Sequence, residues 1–201
     1  MRVVLRSGRN WHSRCALVLY TATLLTGCAA SQENSPDLAK FRLGERLDCP
    51  GCDLAIADLR RHNLVGADLS GADLSHANLH GVDMSGANLT NANLEGADVG
   101  HANLTGAVLN GVNLERSSLM KAVLRGAVLS DVKLTGIWMP EAILTDAILD
   151  GADLTDVDMT SAVVDDGAFD KAVLCNTTLP DGRARDRDCV FNERNTLDDI
   201  H

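Results

Sequence analysis

Cysteine and histidine are the residues with the most chemistry to offer here, and the chain holds six of each. Cys49-Pro-Gly-Cys52 has the spacing of a thiol–disulfide couple or of half a zinc site. Either use needs something more: a helix N-terminus to depress a thiol, or a second ligand pair to complete a tetrahedron. Neither accompanies the motif. Cys49 and Cys52 are therefore read as structural, at the start of whatever follows, with their redox state open. His76, His80 and His101 share no common spacing and are read as solvated surface rather than a metal centre. No Gly-x-Ser-x-Gly elbow, phosphate loop or zinc spacing occurs. The expectation is a chain that is not an enzyme, with no catalytic residue, metal or cofactor.

Cys28 is a different case. Residues 1–14 carry Arg2, Arg6, Arg9 and Arg14 and no acid, and the run from Cys15 to Leu25 is uncharged. That is a basic n-region followed by an h-region of signal-peptide length. Leu25-Thr26-Gly27-Cys28 then resembles a bacterial lipobox. The resemblance implies cleavage before Cys28, a diacylglycerol thioether on its sulfur, and N-acylation (palmitate, for example). Two or three acyl chains, at ~0.8 kcal/mol per buried CH2, hold a protein on a lipid bilayer. The competing reading is cleavage near Ala29 or Ala30 and release of a soluble protein. In a Gram-negative cell, Ala29 in place of Asp favours the outer membrane. Residues 1–27 are thus assigned to a signal peptide and 28–35 to a lipidated tether.

Composition narrows the rest. The 201 residues carry a net charge of −10, are 45 % hydrophobic and contain only 3 % aromatics. A basic nucleic-acid binder is excluded by sign, and no apolar run reaches the ~18–20 residues of a membrane span. With so few rings, something repetitive must fill the interior.

That repeat begins at Leu54. Every fifth residue from there to Leu179 is apolar (Leu59, Leu64, Leu69 and onward), 26 in unbroken phase, with a small residue, mostly Ala, two places before each. A period of five fits neither helix nor strand and signals a solenoid. The unit A-D/N-L-x-x resembles the pentapeptide-repeat family over residues 52–181. The resemblance implies an all-β solenoid, a right-handed quadrilateral β-helix with one repeat per side and four per coil. The central Leu and the preceding Ala point inward in that fold. The residues just before the central Leu support four repeats per coil on their own. Val108, Val128 and Ile148 recur at twenty, as do Val123, Ile143 and Val163, between polar sets. The 26 repeats make about 6.5 coils, and at ~4.8 Å per coil the rod is roughly 31 Å long.

Such a rod needs covers. Ser35-Pro36-Asp37-Leu38 reads as a helix start, so an N-terminal cap is assigned to 36–51, with a short helix about 36–46 laying Leu38, Phe41 and Leu43 over the first coil. Residues 182–201 are assigned to C-terminal closure and tail, as in many relatives. Given this rod, the two cysteine pairs lie too far apart to cross-link. Cys175–Cys189 is expected as a local disulfide in an oxidising compartment.

The surface carries the function. In the first half Asp58-Asn78-Asp98, Asn63-Asp83-Asn103 and Asp68-Asn88 form columns in which an amide alternates with a carboxylate, an arrangement that avoids like-charge repulsion. Acids outnumber bases more than two to one across 52–181, a field that attracts basic partners and repels phosphate. In the second half Val108, Val128 and Ile148 with Val123, Ile143 and Val163 form two neighbouring apolar columns, and Trp138 projects from an otherwise polar side. These seven are the candidate partner surface, for an unidentified protein, a twofold copy (a homodimer) or the C-terminal tail. The primary reading is a non-catalytic, membrane-tethered extracytoplasmic interaction or scaffold protein. The alternative is an acidic DNA mimic, since quinolone-resistance members of the family are similar rods that bind gyrase. That reading needs a cytoplasmic location, and the unbroken repeat shows no protective loops.

Overall fold

The computed structural model describes Asp37 and residues 45–189, all within the compact unit Gln32–His201. The signal peptide, Cys28, the tether and the residues Leu38, Phe41 and Leu43 of the expected capping helix lie outside the described residues. Asp37 itself is in a turn and Glu45 in a bend.

Each five-residue unit makes one side of a coil, and along most of the rod the outward residue pairs in parallel with the residue twenty later. Asp53 bridges Asp73, Asn78 bridges Asp98, Val108 bridges Val128, and Trp138 bridges Asp158. The result is a right-handed four-sided β-helix. Three hydrogen bonds per side carry the register. The central residue and the residue two places after it donate one coil ahead (Leu54 N–H to Asp73 O, 2.7 Å; Ile56 N–H to Ser75 O, 2.8 Å), and the outward residue donates one coil back (Asn78 N–H to Ala57 O, 2.9 Å). Sides meet at β-turns closed by bonds such as Ala57 N–H to Leu54 O, 3.1 Å. The third residue of these turns has positive φ, which is the type II requirement for glycine. At Gly111 and Gly151 there is a second reason. A Cβ there would collide with the side-chain oxygen of Asn91 or Asp131 one coil back.

The inward leucines and alanines are sealed: Leu54, Leu94, Ala57 and Ala97 are at most 1 % exposed. Full burial of each leucine contributes about 1.5–3 kcal/mol. The small position admits more than alanine. Ile137 and Val157 are buried there, with Ile137 one coil beyond Ser117. Two buried hydroxyls at this position are satisfied by carbonyls, Ser117 on Leu114 O (2.6 Å) and Thr177 on Leu154 O (2.7 Å).

The side geometry is interrupted at 165–170, although the register of twenty resumes beyond it, with Asp153 bridging Val173 and Asp158 bridging Thr178. Phe169 is only half-buried, packed against the core rather than sealed within it. The chain loops out instead. Gly167 takes the positive φ in place of residue 166, and Asp170 N–H bonds Gly167 O (3.0 Å). Asp146 N–H turns to the Asp165 carboxylate. Ile148 consequently has no parallel bridge on its C-terminal side among the described residues.

Both ends are closed by carboxylates standing in for missing carbonyls. At the front the regular pairing starts one side earlier than residue 52, with Cys49 N–H on Asp68 O (2.7 Å). Leu47 is fully buried in the mouth of the tube. Asp48 Oδ1 accepts from Asp68 N–H (2.9 Å) and Asp37 Oδ2 from Asp53 N–H (3.0 Å). At the back the chain reverses after Pro180, and two short strands pair antiparallel: β1 (Thr177–Thr178) and β2 (Ala184–Arg185). Arg183 O then accepts from Leu179 N–H (2.9 Å). Asp186 accepts from Asn176 N–H and Asp188 from Leu174 N–H, each at 2.9 Å. Arg187 reaches back to Ala172 O and Phe169 O.

Two predictions follow from this packing. Leu94→Asp places a charge on the sealed axis and should destabilise by more than ~3 kcal/mol. Ala97→Phe overfills the tube and should cost about 1–3 kcal/mol. Thermal melts by circular dichroism should rank the wild type first, Ala97→Phe second and Leu94→Asp last.

The third concerns acid. The Asp68 N–H, then Arg46, hold the Asp48 carboxyl below its ordinary 3.8, and the Leu174 N–H, then Arg187, do the same for Asp188. A carboxyl depressed in the folded state stabilises fully above its unfolded value, and that contribution is lost as pH falls through the lower folded value. Urea midpoints should therefore fall as pH drops below 3.8, and Asp188→Asn should flatten that acid limb.

Candidate interaction surface

The polar columns serve the backbone first. Each Asp or Asn before a central leucine accepts, through Oδ1, the N–H two residues ahead. Ser70 donates to Asp68 (3.1 Å), Ser75 to Asp73 (3.0 Å) and Ser85 to Asp83 (2.9 Å). This is an Asx turn, the reason short acids and amides favour such sites. The same side chains also link coils. Asn88 donates to Asp68 (3.2 Å), Asn93 to Asp73 (3.1 Å) and Asn103 to Asp83 (3.1 Å). The serine hydroxyls, then the serine N–H groups, hold the Asp68 and Asp73 carboxyls below the usual range. In the remaining column the acids take corner side chains instead: Asp58 pairs with Arg60 (2.7 Å), and Asp98 lies 3.3 Å from the His80 ring. The alternation is legible in the sequence; the turn bond is not argued from it, although the Asx preference signals it.

Valine and isoleucine have no acceptor to offer, so the two apolar columns forgo that bond. Val108–Val128–Ile148 and Val123–Ile143–Val163 are each in parallel register. Val108, Val123, Val128 and Ile143 are half-buried, whereas Ile148 and Val163, the last of each column, are 47 % and 50 % exposed. Neighbouring sides of a four-sided coil meet at roughly a right angle, so the apolar surface wraps an edge rather than forming a flat patch. Arg125, Gly126, Thr145 and Asp146 form that edge. Trp138, 49 % exposed, stands between Ser118 and Asp158. Its side follows next around the coil from the 123–163 column, across the corner of Met120 and Pro140. The apolar features therefore occupy three consecutive sides. Val173, 39 % exposed on the fourth, is one that sequence reasoning missed.

His76, His80 and His101 are all exposed. His80 and His101 share a corner, with ring centroids 5.1 Å apart, because a corner joins residues twenty-one apart as readily as twenty. Among the described residues no group of three His, Cys, Asp or Glu is placed to hold a metal, and no helix is long and apolar enough to cross a membrane. Cys49–Cys52 and Cys175–Cys189 are both disulfide-bonded, with Cα separations of 5.5 and 4.8 Å. One bond marks each end of the solenoid.

No curated protein matches the chain. Among solved structures, HetL, a pentapeptide repeat protein involved in heterocyst differentiation regulation from the cyanobacterium Nostoc sp. strain PCC 7120, is 27 % identical. The match covers 69 % of this chain and 70 % of HetL, with a TM-score of 0.37. Rfr23 from the cyanobacterium Cyanothece 51142 is 33 % identical over 53 % of this chain and 63 % of its own, with a TM-score of 0.34. QnrB1, a plasmid-mediated fluoroquinolone resistance protein, is 21 % identical over 65 % and 77 %, with a TM-score of 0.45. The family model for pentapeptide repeats matches residues 52–91, 87–126 and 127–164. With a side every five residues and a coil every twenty, the chain belongs to the pentapeptide-repeat family.

Proposed function

We propose that this is a non-catalytic interaction protein, tethered to a bacterial membrane through an acylated Cys28, that docks a protein partner along its apolar edge. One observation carries the docking surface. The Val108–Ile148 and Val123–Val163 columns give up the turn-stabilising bond that Asp and Asn make elsewhere at the same position, and leave apolar surface in its place. Nothing inside the coil gains from that exchange, since the side chains face out. The acidic body disfavours nucleic acid as the partner and favours a protein with basic groups around an apolar centre. The tether rests on the lipobox-like Leu25-Thr26-Gly27-Cys28 run alone.

Two experiments separate these claims. Expressed in a bacterium, the wild type should fractionate with membranes, and Cys28→Ser should lose the acyl mass and leave the membrane fraction. A wild type found in the cytoplasm would instead favour the acidic topoisomerase-binding alternative. Val128→Lys with Ile148→Lys should weaken cross-linked partner capture at least about tenfold, as loss of a buried apolar centre does, without lowering the melting temperature. If the occupant is a second copy, the same pair should convert a sedimenting dimer to monomer. Capture unchanged by both lysines would remove the apolar edge from the proposal.

A further inference from the structure

The two ends of the solenoid are closed by different means. At the front, Leu47 is fully buried, so that closure is anchored in the core. Among the described residues the C-terminal strap has no such anchor: residues 181–188 are exposed and Cys189 is only half-buried. Its hold on the last coil consists of the Ala184–Arg185 pairing, the Arg183 carbonyl, the Asp186 and Asp188 carboxylates, Arg187, and the bond from Cys189 to Cys175. Hydrogen bonds open to water add little net stability, because the separated groups are solvated. Ordering the strap meanwhile costs conformational entropy. The covalent link shifts this balance by keeping the strap beside its edge, so that re-docking is intramolecular.

We infer that Cys175–Cys189 is the latch of a reversible cover, and that a dithiol which breaks it uncovers the β-edge formed by Leu174, Asn176 and Leu179. A thiolate of the dithiol attacks one sulfur and releases the other cysteine as a thiolate; the dithiol's second thiolate then attacks its own partner sulfur in the mixed disulfide and releases the remaining cysteine. The reductant leaves as a cyclic disulfide. Cys175 and Cys189 receive the two electrons and, with two protons, become thiols. The two closures answer differently to reduction. Cys52 is partly exposed, as Cys175 and Cys189 are, so a small dithiol reaches both bonds; Leu47 and Cys49 stay buried in the core, and only the C-terminal strap relies on its bond to stay docked. The uncovered edge presents three N–H donors close to Val163 and Val173, both exposed. That is a template for an added strand.

Hydrogen exchange on the intact chain, before and after dithiothreitol, tests the latch. The Leu174, Asn176 and Leu179 amides should exchange at least about a hundred-fold faster after reduction, as local opening requires. The Leu104 and Leu124 amides should be unchanged, and oxidised glutathione should restore the starting pattern. Cys49→Ser with Cys52→Ser should keep the full response. Cys175→Ser with Cys189→Ser should exchange fast at the three amides in both conditions. Protection of these amides that survives reduction would overturn the proposal. Equal loss of protection along the whole rod would do the same, because the bond would then hold the fold rather than a cover.

Discussion

Along most of the rod the inward leucine donates its N–H one coil ahead, while the residue before it donates one coil back. Those paired bonds hold the parallel register of twenty, and every other feature is arranged around them. They form only if each side is the same length and each corner turns the same way. The leucine spine enforces the first condition, since a shift of one residue would turn a leucine to water and bring a polar neighbour into the tube. The positive-φ turn residue enforces the second.

A stack of this kind depends on neighbours, and stability runs along it one coil at a time. Its weak points are therefore its ends and its irregularities. The ends are met by Asp37, Asp48, Asp186 and Asp188, whose oxygens occupy the places of carbonyls that a further coil would supply. The irregularity at 165–170 is met locally by the Asp165 carboxylate and by bonds within the loop. Between these points the outward residue of each side is free to vary, provided that something tolerates the loss of the Asx bond. That freedom lets one face carry acids and amides while another carries valine and isoleucine.

Much of this is legible in the sequence because one period governs it. The spacing of the leucines marks the axis, and the recurrence of Val108, Val128 and Ile148 alone demands four sides per coil. The sequence reading fails where geometry departs from counting. Phe169 keeps the apolar pattern yet lies half-buried in a loop, a departure that periodicity does not register. His80 and His101 look unrelated by column and meet at a corner. Trp138 reads as isolated until the sides are laid around the coil. The carboxylates at the two ends are ordinary aspartates in the sequence, and only the missing neighbour gives them their role.

The quarter-turn between sides has a consequence for how such a chain changes length. Losing five residues would keep the leucine axis intact, yet rotate everything downstream by one face. Val128 would then no longer lie above Val108, and the apolar edge would be cut in two across different walls. Losing twenty would shorten the rod by a full lap and leave each wall continuous. Fold and surface thus answer to different arithmetic: duplication or deletion in single units tests the spine, whereas only whole laps conserve what the outside displays.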